Sequence, residues 1–285
     1  MRVFERAVPV FLLFSMNMTA AAAEIYKNVE FRQVEGITLR LDASIPNGGG
    51  LFSAAIIVHG GGWVGGNRRI DVAPLFQPLT DAGIAWFSID YRLAADPLRF
   101  GTAAQDVEAA IRFVREHADE YHVDPDRIAL IGESAGGHLA ALAALDGEPS
   151  VRAVVALYAP TNLVALAKSS DLIPAAIRDQ LQGTPFAGLI MARLARLSPI
   201  EKVRSGMPPF LLIHGTADRM VPFEQSRAMC ERMLSVGAAC EVFPVPGAGH
   251  GIRRWEGSPA MEAPYKREMI RWLGEQLAVN PVRVL

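Results

Sequence analysis

The segment "LIGESAGGHLA", residues 130–140, places Ser134 between Gly132 and Gly136. An apolar, strand-like run ends there and an alanine-rich, helix-like one begins. A serine on such a turn matches the G-x-S-x-G nucleophile elbow, in which a sharp backbone bend lifts the hydroxyl above a sheet. By itself the pattern also fits a turn serine capping a helix. A serine hydroxyl becomes a competent nucleophile only when a histidine takes its proton and a carboxylate orients that histidine.

The chain order serine, acid, histidine is met by Asp218 in "HGTADRMVP" and His250 in "PGAGHGI". Both follow strand candidates, and open α/β sheets build their sites at the carboxyl ends of strands. The other histidines fit this order less well. His117 and His122 belong to a surface helix and its exit, His138 lies one turn inside the elbow helix as a packing residue, and His59 and His214 end strands as buried, hydrogen-bonded groups. Asp90 ends a strand upstream of the serine and suits a structural role, while Glu133 is expected to point away from the hydroxyl.

A fourth element, "HGGGW" at 59–63, follows an apolar strand. Its consecutive glycines leave backbone N–H groups unobstructed, so Gly61 and Gly62, with the N–H of Ala135, are expected to form an oxyanion hole, and Trp63 to meet substrate. A phosphate-binding loop is the competing reading, but no G-K-[ST] follows.

Positioning these residues requires a particular scaffold. "IYKNVEFRQVEGITLRLDASIP" reads as two antiparallel strands around a Glu-Gly turn, with Val29, Phe31, Ile37, Leu39 and Leu41 facing inward. Apolar runs near 54, 84, 127, 151, 210 and 240 are uninterrupted by polar alternation, as in parallel strands buried on both faces. Helical patterns are expected near 71–82, 102–121, 135–145, 223–236 and 260–278, giving a mostly parallel sheet with helices on both faces. Residues 161–208 are too long for a plain connection and predict a short inserted cap, whose Leu181, Phe186, Leu189, Ile190, Met191, Leu194 and Leu197 need burial.

At the N-terminus, Arg2 and Arg6 precede the apolar run at 7–16 and the small residues ending in Ala21-x-Ala23. This predicts a signal peptide over 1–23, cut before Glu24, and a hydrolytic domain over 24–285 exported to the periplasm or the medium. The apolar run is too short to span a bilayer, so no stable membrane insertion is expected once it is removed. A net charge of −2 without basic blocks gives no footprint for nucleic acid. Export permits a Cys230–Cys240 disulfide, with two buried free thiols as the alternative.

Taken in order, "HGGGW", "IDYRL", "DPDRIALIGESAGGHLA", "HGTADRMVPFEQS" and "GAGHG" resemble α/β-hydrolase esterases of the hormone-sensitive-lipase-like and bacterial feruloyl/acetyl-xylan esterase-like groups. The resemblance covers most of residues 54–252. It implies the α/β-hydrolase fold and hydrolysis of short-chain or sugar-linked carboxylic esters through an acyl-enzyme. It also implies a small-molecule ester as partner and no metal or organic cofactor. An arylformamidase or serine peptidase shares the elbow, and a non-catalytic hydrolase-like binding module shares the fold. The intact set Ser134, Asp218 and His250 speaks against the last.

Overall fold

The computed structural model describes residues 23–94, 101–146, 150–169 and 187–278. Residues 1–22 of the leader expected over 1–23, and the cap residues Leu181 and Phe186, lie outside the described residues. Glu35 and Gly36 turn β1 (Ala23–Val34) into β2 (Ile37–Pro46) with φ of 52° and 76°. Two successive positive φ values give the tight turn whose twist matches its flanking strands. Leu39 and Leu41 are buried as expected, but Ile37 is 45% exposed, because the residue beside the turn projects past the end of the core.

The remaining strands are β3 (Phe52–Val58), β4 (Ala85–Ile89), β5 (Val123–Glu133), β6 (Ala153–Leu157), β7 (Phe210–Gly215) and β8 (Cys240–Val245). They join one 8-stranded sheet in the order β1-β2-β4-β3-β5-β6-β7-β8. The hairpin and its pairing with β4 are antiparallel, and every pairing from β4 through β8 is parallel.

Successive residues of β3 enter different cores. Ile56 and Val58 pack with Val107, Leu139 and Met229, whereas Ala55 and Ile57 pack with Leu75, Met269 and Trp272. Strand geometry sends neighbouring side chains to opposite faces, so an all-apolar strand demands cover on both. Helices α2 (Gly101–Glu116), α3 (Ala135–Asp146) and α6 (Glu224–Ser235) provide it on one side. Helices α1 (Ala73–Asp81) and α7 (Pro259–Leu277) provide it on the other.

Helix α2 stops at Glu116, short of the expected 121. Residues 117–122 turn instead, with His117 Nδ1 on the Phe113 carbonyl and Val123 N–H returning to Ala118 O, which launches β5 early. Cys230 on α6 and Cys240 at the start of β8 form a disulfide.

The cap contains α4 (Leu163–Ser169) and α5 (Ala187–Arg196). Leu163, Leu166 and Val221 form a small apolar cluster with Leu194, Leu197 and Trp63 against it. The expected burial of the cap's apolar residues holds only in part: α5 has no buried residue and Leu189 is 65% exposed. Leu194 and Leu197 rest on the cluster, and a single helix can set only one stripe against a surface.

Candidate active site

Ser134 sits between β5 and α3 with φ of 51°, a left-handed conformation that is strained for any residue bearing a Cβ. Two contacts hold it there. Its N–H donates to Leu157 O at 2.9 Å, and its carbonyl accepts the N–H of His138 at 3.0 Å. Glycine is required around it: a Cβ on Gly132 would lie 2.3 Å from Gly136 O, and one on Gly136 would lie 2.2 Å from Val58 O. Those contacts let α3 start directly against the ends of β3 and β5, with its positive N-terminal end beside the serine.

The Ser134 hydroxyl is 2.9 Å from His250 Nε2, and His250 Nδ1 is 2.7 Å from Asp218 Oδ2. The predicted serine, acid and histidine are thus brought together from the loops after β5, β7 and β8. An ionised carboxylate accepts only, so Nδ1 carries a proton and Nε2 faces the hydroxyl as acceptor. The other oxygen, Oδ1, accepts the N–H groups of Met220 and Val221, each at 2.9 Å.

His214 backs this arrangement. Its Nε2–H donates to Val221 O at 2.8 Å and lies 3.5 Å from Asp218 Oδ2, while Nδ1 accepts from the Ser226 hydroxyl at 2.7 Å. Burial would favour a neutral Asp218. The bonds from His214 and His250 outweigh it and hold the carboxyl well below the usual range.

The loop after β3 carries the predicted oxyanion donors. Gly61 and Gly62 have φ of 108° and 61°, and a Cβ on Gly61 would lie 2.2 Å from Gly65 O. The N–H of Gly60 is committed to Glu133 Oε1 at 2.9 Å, which leaves Gly61 and Gly62 as the donors of this loop. Ala135, the first residue of α3, is buried beside the serine.

Four side chains have partners that sequence reasoning did not assign. Glu133 points away from the serine hydroxyl, and its second oxygen accepts the Tyr158 hydroxyl. The Tyr158 oxygen accepts the N–H of Ile252 at 2.9 Å, and its ring meets His250 edge-on at 4.7 Å. Glu133 and Tyr158 therefore join the oxyanion loop to the histidine loop. Burial pushes the Glu133 carboxyl up, opposed by those two hydrogen bonds. Trp63 and His138 are bonded to each other, Nε1 to Nδ1, at 3.2 Å. Only a knowledge of which strands neighbour β5 would have revealed these pairs. Asp90 takes the structural place expected of it, bonded to Arg68 and to the N–H of Arg40.

Comparison with known proteins places this geometry. The BD-FAE family profile matches residues 41–233. The chain belongs to the BD-FAE family. The match runs from β2 into α6 and takes in Ser134 and Asp218, whereas His250 lies beyond it. Esterase LipC of Mycobacterium tuberculosis is 32% identical over 234 residues, covering 71% of this chain and 54% of LipC. This chain spans about half the length of the curated relatives it matches.

Among solved structures, the thermophilic esterase Est2 of Thermogutta terrifontis superposes with a TM-score of 0.72 at 26% identity, covering 94% of this chain and 96% of Est2. Est2 has also been solved with propionate and with butyrate bound. A truncated carbohydrate esterase from gut microbiota gives a TM-score of 0.74 at 26% identity, covering 90% and 97% of the two chains. This BD-FAE family member has the α/β-hydrolase fold that its sequence predicts.

Proposed function

We propose that the protein is a serine carboxylesterase that cleaves short-chain or sugar-linked esters through an acyl-enzyme. The observation that carries the reading is the continuous relay Ser134 Oγ, His250 Nε2, His250 Nδ1, Asp218 Oδ2, at 2.9 and 2.7 Å, on a strained elbow. In this reading His250 takes the hydroxyl proton as Ser134 attacks the ester carbonyl. Charge developing on the carbonyl oxygen meets the N–H groups of Gly61, Gly62 and Ala135, each such donor contributing roughly 2.7 to 4 kcal/mol. His250 then passes its proton to the departing alkoxide, and water repeats the sequence on the acyl-enzyme.

Both halves of the substrate find support. On the acyl side, Trp63 and the Leu163–Leu166–Val221 cluster offer apolar surface, and the similar Est2 binds propionate and butyrate. On the alcohol side, His250 lines a cavity of about 450 Å³ that also includes Asp71, Glu133, Arg253 and Arg254. In this reading an alkoxide protonated by His250 departs towards that cavity, whose mixed lining also includes Met220 and Ile252 and whose charged side chains suit a hydroxyl-bearing alcohol.

Export is part of the proposal. The predicted leader and the Cys230–Cys240 disulfide both suit an oxidising compartment. Among the described residues no helix is long and apolar enough to cross a membrane. N-terminal sequencing of protein recovered from periplasm and medium checks the cut before Glu24.

A fluorophosphonate probe tests the chemistry. The wild type is expected to be labelled at Ser134 and to turn over p-nitrophenyl acetate, while Ser134→Ala folds normally and does neither. Activity in Ser134→Ala above a few per cent of wild type would overturn the assignment.

A further inference from the structure

His138 is fully buried, one helical turn beyond the nucleophile, and its two ring nitrogens face different parts of the protein. Nδ1 lies 3.2 Å from the indole nitrogen of Trp63, on the loop that carries Gly61 and Gly62. Nε2 lies 2.8 Å from the carbonyl of Leu197, where the cap returns from α5. An indole N–H only donates and a carbonyl only accepts. The pair of partners therefore dictates a neutral ring with its proton on Nε2. Burial, opposed by the bond to Leu197, takes this imidazole down to about 4, so it stays neutral at ordinary pH.

Both ends of the bridge matter to the site. Trp63 has φ of 66°, a strained conformation for an aromatic residue, directly after the two glycine donors. Its carbonyl accepts the N–H of Ala94 at 2.8 Å and its ring meets the His138 ring edge-on at 5.3 Å, so backbone and side chain are both held. Leu197 directly follows α5 in the cap and precedes Ser198, whose hydroxyl donates to Leu194 O at 2.8 Å and accepts the Leu163 N–H at 2.9 Å.

We infer that His138 is a positioning residue for ester hydrolysis: its neutral imidazole fixes the oxyanion loop through Trp63 and the acyl-side cap through Leu197, both from the helix that begins directly after Ser134. The inference rests on the esterase reading above. It assigns two separable effects to one ring, since Nδ1 governs catalytic geometry and Nε2 governs which acyl groups fit.

Two substitutions divide the bridge. In H138N the amide oxygen takes the place of Nδ1 and still accepts from Trp63, but nothing reaches Leu197. In H138Q the amide N–H takes the place of Nε2 and still donates to Leu197, but Trp63 loses its acceptor. Misplacing the oxyanion loop costs up to about a hundredfold in turnover. H138Q is therefore expected to fall about tenfold or more below H138N in kcat on p-nitrophenyl acetate, with little change in KM. H138N is expected to change the butyrate-to-acetate ratio of kcat/KM by about threefold or more, while H138Q keeps the wild-type ratio. Equal losses in both variants that track their melting temperatures would reduce His138 to packing and overturn the inference.

Nitrogen-15 NMR of the indole N–H groups supplies a readout independent of turnover, with the Trp63 signal assigned by Trp63→Phe. That signal is expected to stay near its wild-type position in H138N and to move in H138Q. A signal that moves equally in both overturns the bridge. A wild type without ester turnover would instead sink the esterase reading, and the NMR result would still decide whether His138 holds Trp63.

Discussion

Glu133 accepts the N–H of Gly60 at 2.9 Å, so the residue immediately before the nucleophile holds the start of the oxyanion loop. Its other oxygen accepts from Tyr158, whose hydroxyl in turn holds the loop of His250 through Ile252. Glu133→Gln places an amide N–H against a hydroxyl that must donate, and Tyr158→Phe leaves the Ile252 N–H without its acceptor. Each exchange leaves a buried polar group unsatisfied, at about 1 to 3 kcal/mol. Both variants are expected to melt lower and to lose kcat more than KM. Unchanged kcat in Tyr158→Phe would show that the network serves stability alone.

Asp218→Asn is expected to reduce kcat/KM by ~10⁴, because an amide at this position lets His250 adopt the wrong tautomer. Asp90→Asn, which weakens the pairing with Arg68 instead, is expected to lower the melting temperature and spare most turnover. Esterase kinetics and thermal melts on the two variants check the assignment, and a reversed pattern would move the acid role to Asp90.

Acid sensitivity follows from His138. Its folded state prefers the neutral ring, with the pKa lowered from 6.5 to about 4. The stabilisation is therefore complete above about pH 6.5 and is lost as pH falls towards 4, a loss of order 3 kcal/mol. H138N cannot titrate there. Urea melts are expected to show the stability gap between wild type and H138N narrowing over that interval, and a constant gap would refute the burial of a neutral ring.

Short acyl esters, of about two to four carbons, are expected to be preferred over those of ten or more. Each methylene that fits the acyl pocket gains ~0.8 kcal/mol, and one that does not fit costs about 1 to 3 kcal/mol in strain. Leu189 is exposed, so among the described residues Trp63 and the Leu163–Leu166–Val221 cluster are the apolar groups expected to bound the acyl chain. A series of p-nitrophenyl acetate, butyrate, octanoate and palmitate tests this, and a kcat/KM maximum at octanoate or palmitate would point to a lipase.

The sheet was legible because each strand is a short apolar run bounded by turns, and the gathering of Ser134, Asp218 and His250 was legible because their chain order mirrors strand order. The end of α2 was misjudged, since Val114 and Ala118 keep helical spacing past Glu116, where the chain turns, Tyr121 is buried in the core and Val123 already starts β5. His138 and Glu133 were read as packing and as pointing away, which is right for orientation and silent about partners. Gly60, Trp63, Tyr158 and Leu197 come from other strands and loops, and local sequence does not encode which backbone groups lie across a sheet.

The Cys230–Cys240 link lies at the opposite end of the strands from Ser134, since Cys240 pairs with Phe210 where β7 begins. It closes a loop of sequence separation 10, which in the chain-entropy model contributes at most ~3 kcal/mol. The protein thus carries a chemically addressable brace remote from its reactive groups. Reduction offers a way to soften the molecule without touching the relay. Turnover measured in the oxidised and reduced forms at one temperature would separate how much rigidity the chemistry needs from how much merely keeps the chain folded.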